Sequence, residues 1–146
     1  MSWKTFAEAA PKLAALGFEK LDRTICYLAL LDEDDAPRIH PITPFIGCGM
    51  LFMFTEPASP KIGDLRRDGR YAIHSAVTRD GPLIEFLVTG NAKFITDLAL
   101  RTQAAQMAGS PVVTGRYDLF EFHVARVLVV EYDEDKMKVV RRWRGD

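Results

Sequence analysis

Apolar residues recur at every second position through most of this chain and at helical spacing in three short stretches. The first helical stretch opens with Ser2 as an N-cap and continues through Glu8-Ala9-Ala10. Pro11 breaks it there and suits the first turn of a new helix. Leu13, Leu16 and Leu21 then repeat with Ala14 and Ala15 between them, while Gly17 weakens the middle. One interrupted helical segment over residues 3–22 is expected.

The period then switches to two. Thr24 to Leu31 reads as a strand that turns at Asp32-Glu33-Asp34-Asp35-Ala36-Pro37, and Arg38 to Ile46 reads as its return. Gly47-Cys48-Gly49 supplies a tight turn into Met50 to Thr55, which completes a meander. A short basic helix follows from Ser59 to Gly69-Arg70, and Tyr71 to Ala76 is a further strand. Arg79-Asp80-Gly81-Pro82 turns the chain into a long strand, Leu83 to Ile95. Thr96-Asp97 begins a second amphipathic helix that runs to Gly109, and Ser110 to Arg116 is a loop. Leu119 to Tyr132 and Lys136 to Trp143 form a last hairpin around Asp133-Glu134-Asp135. With about seven strands, helices inserted among them and no repeated βαβ rhythm, the expected architecture is a mainly β, antiparallel barrel.

Composition narrows the function more than the fold. At 146 residues one domain, 1–146, is the simplest organisation. A net charge of −1 gives no global drive toward nucleic acid or an anionic membrane. No apolar run approaches the ~20 residues that span a bilayer, and the N-terminus lacks a signal-peptide core, so the expectation is a cytoplasmic protein. Cys26 and Cys48 are too few and too far apart for a disulfide framework or a CxxC motif, and both fall in strand-like apolar segments where a buried free thiol is expected. There is no P-loop, GxGxxG or HExxH, and His40, His74 and His123 are widely separated, so no metal site is expected. Without side-chain catalytic apparatus of its own, the chain implies a cofactor or no chemistry.

Two stretches hold candidate chemistry. Ser59-Pro60-Lys61 before Ile62-Gly63-Asp64-Leu65-Arg66-Arg67 puts a hydroxyl, an ammonium and the positive end of a helix together, which suits a phosphate. A capped, solvated surface helix is the plainer reading of the same residues. The second stretch is Arg38-Ile39-His40-Pro41-Ile42-Thr43-Pro44, with Arg38, His40 and Ile42 on one face and Ile39, Pro41 and Thr43 on the other. Its two prolines remove two ladder donors, so this strand has an edge, a bulge or a gap that a ligand could fill. Protection of an edge against pairing is the alternative. Arg66, Arg67 and Arg70 are expected to face solvent or a partner, and Phe45, Phe52, Phe54, Phe86 and Phe94 to be mostly core.

The order of these pieces resembles the pyridoxamine 5′-phosphate oxidase-like flavin-binding split-barrel family. The resemblance runs from the strand and turn before Arg38-Ile39-His40-Pro41-Ile42-Thr43, through Phe54-Thr55, to Ser59-Pro60-Lys61 with Leu65-Arg66-Arg67-Asp68-Gly69-Arg70. It covers residues 22–95, and the last hairpin agrees in layout. It implies a split antiparallel β-barrel with an N-terminal helical segment and two further short helices, and a homodimer holding FMN, or the deazaflavin F420, at the subunit interface. Arg38 to Thr43 would then line the flavin ring and reach its phosphate, Phe54 and Thr55 would contact the ribityl chain or ring, and Ser59 with Lys61 would hold the phosphate. Pro60 stands where the family's oxidases carry a second basic residue. Glu85 stands where they carry an amide side chain against the flavin, and an acid there repels an anionic reduced flavin. Trp143, between Arg142 and Arg144, falls either against the barrel or at the interface beside the partner's flavin.

The residues with which those oxidases recognise vitamin B6 have no match, so authentic pyridoxamine-phosphate oxidase activity is not implied. The resemblance points to an FMN- or F420-dependent oxidoreductase that transfers hydride or electrons to a small molecule. A non-catalytic protein binding flavin, F420 or another phosphorylated ligand is the alternative. No residue is assigned the proton-transfer role, for which His40 and His74 are candidates by their ordinary titration range.

Overall fold

The structure, a computed structural model, describes residues 1–109 and 116–146. The loop expected over Ser110–Arg116 lies, but for Arg116, outside the described residues. Helices α1 (Trp3–Ala9) and α2 (Pro11–Leu21) come first and meet at the expected break. Ser2 Oγ accepts from the Thr5 amide at 3.3 Å, and Pro11 opens α2 where an amide hydrogen has no intrahelical acceptor. Then follow β1 (Cys26–Leu31), β2 (Pro37–Ile42), β3 (Phe45–Gly47), β4 (Met50–Thr55), α3 (Pro60–Arg67) and β5 (Arg70–Ser75). The described chain ends with β6 (Ile84–Ile95), α4 (Leu98–Ala108), β7 (Asp118–Tyr132) and β8 (Lys138–Arg144).

Every strand pair is antiparallel, in the order β2-β1-β5-β6-β7-β4-β3, with β8 also beside β7. β7 is long enough to pair with β6 along most of its length on one edge and to serve β4 and then β8 in succession on the other. Among the described residues the sheet has eight strands, one more than expected. The return strand expected over Arg38–Ile46 is in fact two strands. Pro44 has no amide hydrogen, and the chain turns a corner at Thr43-Pro44, leaving β1 to join β4. The corner is tied by the Arg23 amide donating to the Pro44 carbonyl at 2.8 Å and the Ile46 amide donating to Asp22 Oδ1 at 2.7 Å. β2 and β3 therefore stand at the two ends of the sheet, and no ladder joins β2 to β4. That gap is the split in the barrel.

The core fills the inside of the curved sheet. Phe6 and Leu21 from the helices pack there with Leu28, Ile73, Phe86 and Phe122, all fully buried. Phe52 and Leu119 form a smaller cluster with Ala104 of α4. Of the five phenylalanines expected in the core, Phe52 and Phe86 are fully buried, whereas Phe45, Phe54 and Phe94 are half-buried at its margin. Gly90 sits at a register shift between Thr89 and Gly90, where a Cβ would lie 1.8 Å from the His123 carbonyl oxygen. The cysteines divide. Cys26 is buried as expected, but Cys48 is exposed. Cys48 and Gly49 have φ of 53° and 74°, the left-handed pair that a two-residue hairpin turn requires, so Cys48 belongs to the turn rather than a strand.

Candidate functional site

β2 alternates as its sequence indicates. Arg38, His40 and Ile42 lie opposite Leu30, Leu28 and Cys26 and face inward, while Ile39, Pro41 and Thr43 are exposed. Pro41 is tolerated because β2 is bonded to a neighbour on one side only. Where β2 ends, Pro41, Ile42 and Thr43 form one wall of a cavity of about 260 Å³. Phe54 and Thr55, from the end of β4, form the facing wall, and Lys61 closes it from the first turn of α3. Six residues singled out from the sequence thus meet in the split of the barrel. A second hollow, also of about 260 Å³, shares Pro41, Ile42 and Thr43 and extends the trough to Ile25.

The start of α3 differs in detail from a bare helix terminus. Ser59 is the N-cap by position, but its hydroxyl makes no capping bond and instead accepts from Lys61 Nζ at 2.9 Å. Pro60 at the first helical position brings no amide hydrogen, and the Ile62 amide already donates to the Ser59 carbonyl at 3.1 Å. Backbone donors are therefore few, and the positive charge at the cavity is chiefly the Lys61 ammonium.

Arg38 is held beside the cavity rather than in its wall. Its Nη1 donates to Asp64 Oδ2 at 3.1 Å, and Arg67 Nη1 donates to Asp64 Oδ1 at 3.2 Å. Asp64 is buried, so this carboxylate couples β2 to α3 between two guanidinium groups. Arg67 also donates to the Leu31 carbonyl at 2.9 Å. Arg66 lies over the Phe94 ring at 4.4 Å, and Arg70 pairs with Asp68. Arg66, Arg67 and Arg70 are all exposed, as expected, and each also finds an acid, a carbonyl or a ring within reach. His40 lies in the field of Lys61 and Arg38. Burial first, then these two cations, holds its imidazole below the usual titration range, with Asp64 pulling the other way. His40 Nε2 is buried without a hydrogen-bond partner.

The remaining predicted residues stand apart. Ile39 is 67% exposed on the outer face of β2, near Tyr27 at 46%. Glu85 is on the outward face of β6 opposite Val130, and it does not line the cavity. Trp143 lies opposite Val127 in β8 and packs against Phe6 with ring centroids 4.8 Å apart, at the margin of the core. Neither Glu85 nor Trp143 reaches the split within one chain. The sequence reading missed Met53, Glu56 and Tyr117, which complete the lining, and the part played by Asp64. Asp64 had a legible signal: it sits between Ile62 and Leu65 on the buried side of α3, where an acid needs partners. Among the described residues no group of His, Cys, Asp and Glu is arranged to hold a metal ion, and no helix is long and apolar enough to cross a membrane.

No family model and no curated protein matches the chain. Solved structures do match it. PhzG from Burkholderia lata 383, in complex with tetrahydrophenazine-1-carboxylic acid, aligns with a TM-score of 0.70 at 11% identity, over 97% of this chain and 87% of its own. A NimC/NimA family protein from Clostridium acetobutylicum aligns with a TM-score of 0.61 at 16% identity, over 87% of this chain and 92% of its own. A heme-binding protein from Mycobacterium smegmatis aligns with a TM-score of 0.68 at 17% identity, over 94% of this chain and 57% of its own. The chain therefore shares the split-barrel fold of these structures. At these identities the likeness is one of fold.

Proposed function

We propose that this chain binds FMN by its phosphate and stem in the split between β2 and β4, and acts as a flavin-dependent oxidoreductase on a small molecule. The observation that carries this reading is the meeting of Pro41, Ile42 and Thr43 with Phe54, Thr55 and Lys61 around one cavity. The donor set fits a phosphate monoester: an ammonium at Lys61, a hydroxyl at Ser59 already oriented by it, and the Arg38 guanidinium behind. The walls fit a stem with hydroxyl groups, through Thr43 and Thr55, and an aromatic body, through Phe54 and Pro41.

The cavity alone does not enclose a tricyclic ring. Pro41, Thr43 and Ile25, which line the adjoining hollow, would hold the ring, and that hollow is open to water on its far side. A second copy of the chain docked on the exposed Tyr27 and Ile39 covers it, giving a homodimer with the cofactor between subunits. Glu85 and Trp143 contact the ring in this reading only across that interface.

When bound, the flavin supplies hydride and electron transfer. The chain's own residues bind and orient it, with Lys61 neutralising phosphate charge, the Asp64–Arg38 pair holding α3 on β2, and the apolar walls excluding water. F420 also offers a phosphate and a tricyclic ring, so reconstitution with each separates the two. The expected result is a stoichiometric yellow complex with FMN and weaker retention of F420. Exclusive retention of F420 replaces FMN in this reading, and retention of neither overturns it.

A further inference from the structure

Aspartate precedes glycine twice in the chain, at Asp68-Gly69 and at Asp80-Gly81. This dipeptide carries a reaction of its own. Glycine has no Cβ to keep its amide nitrogen from the neighbouring carboxyl carbon, so the two meet wherever the backbone is free to turn. The structure gives the two pairs opposite surroundings.

Asp68-Gly69 leads from α3 into β5 and is fixed on both sides. The Asp68 amide donates to the Asp64 carbonyl at 2.9 Å, and the Gly69 carbonyl accepts from the Ala92 amide at 2.7 Å. A Cβ at Gly69 would lie 2.8 Å from the Ala92 carbonyl oxygen, so the backbone of β6 is packed against it. The Asp68 carboxylate accepts from Arg70 Nε at 2.9 Å and from the Arg70 amide at 3.0 Å. Arg70 thereby holds this carboxyl down to about 2.

Asp80-Gly81 lies in the connection from β5 to β6, where Ala76 to Leu83 are all exposed. Among the described residues the Asp80 carboxylate and the Gly81 amide have no hydrogen-bond or ion-pair partner. Gly81 has a φ of 113°, and nothing lies within 4 Å of its Cβ position. Below the connection, the buried Ser75 Oγ accepts from the Phe86 amide at 3.1 Å. That bond closes the base of the loop, so the loop backbone can rearrange while β5 and β6 stay paired.

We propose that Asp80-Gly81 is a modification site at which the chain converts its own aspartate to isoaspartate, and that the fold protects Asp68-Gly69 from the same change. The Gly81 nitrogen bonds to Asp80 Cγ, the carboxyl hydroxyl and the amide hydrogen leave as water, and a cyclic imide results. One water then opens the ring. Cleavage of the new N–Cγ bond restores aspartate, whereas cleavage of the original peptide bond leaves the chain running through Cβ and Cγ. The water released equals the water consumed, and no other reactant enters. At Asp68 the protonated carboxyl, whose hydroxyl must leave, is more than about tenfold rarer than in an ordinary aspartate, and the backbone that must turn is tied. The proposal does not depend on what occupies the split.

The test incubates the full chain at neutral pH and body temperature, native in one arm and unfolded in guanidinium chloride in the other. Isoaspartate is located by peptide mapping with endoproteinase Asp-N, which cuts before aspartate but not before isoaspartate. In the native chain, position 80 is expected to accumulate it at least about tenfold faster than position 68. In the unfolded chain the two positions are expected to react at similar rates. Absence of isoaspartate from position 80 of the native chain, or equal accumulation at 68 and 80, overturns the proposal. A preference for position 80 that persists undiminished in the unfolded chain overturns the protection assigned to the fold.

Discussion

Arg38 of β2 and Asp64 of α3 are joined at 3.1 Å, although 26 residues separate them in the chain. The same carboxylate takes Arg67 on its other oxygen, so one buried acid fixes the helix that carries Lys61 against the strand that carries Pro41 and Thr43. Removing its charge leaves two guanidinium groups without their acid. Asp64→Asn is expected to lower unfolding stability by about 1–2 kcal/mol, a modest figure because both arginines are partly exposed to water. Urea denaturation checks this, and an unchanged midpoint contradicts the role assigned to Asp64.

His40 reports the electrostatics of the same corner. Its folded value is held below the ordinary 6.5 by burial and by the Lys61 and Arg38 cations. Protons therefore bind the unfolded chain more tightly than the folded one. The contribution of His40 to stability is fully present above pH 6.5 and is lost as pH falls through the folded value. Proton NMR of the imidazole should show it titrating below 6.5 in the free protein and moving upward when inorganic phosphate fills the cavity, because an anion offsets the two cations. A titration at or above 6.5 in the free protein contradicts this account.

Much of this corner was legible in the sequence because it rests on local chemistry. Pro41 marked an edge strand, the alternation of Arg38 to Thr43 gave its two faces, and Ser59-Pro60-Lys61 marked a helix start. Three things were not legible, and each is a long-range fact. The corner at Thr43-Pro44 depends on which neighbour takes over the pairing after β1, and the pairing of Arg38 with Asp64 depends on how α3 docks. The placing of Trp143 opposite Val127 depends on the β7–β8 register, which the Asp133-Glu134-Asp135 turn alone does not set. The length of β7, which lets it serve β4 and then β8 along one edge, was legible, but its division between them was not.

Two glycines should respond in opposite directions. At Gly90 an added Cβ would meet the His123 carbonyl oxygen at 1.8 Å, so Gly90→Ala must move backbone in the longest strand pair of the barrel. A loss of at least about 3 kcal/mol is expected. Gly63 is inside α3 with nothing within 4 Å of its Cβ position, and Gly63→Ala should stabilise by up to about 1 kcal/mol. Thermal unfolding of both variants measures the pair, and equal shifts contradict the backbone geometry of the β6–β7 bulge.

The central claim is that the Lys61 ammonium anchors the phosphate of a flavin in the split between β2 and β4. Its most direct measurement is the FMN dissociation constant of the wild-type chain and of Lys61→Ala, with riboflavin as the ligand lacking the phosphate. A charge-assisted contact of about 1.5–3 kcal/mol predicts that the substitution weakens FMN binding by at least about tenfold and leaves riboflavin binding unchanged. Equal FMN affinity in the two proteins contradicts the claim.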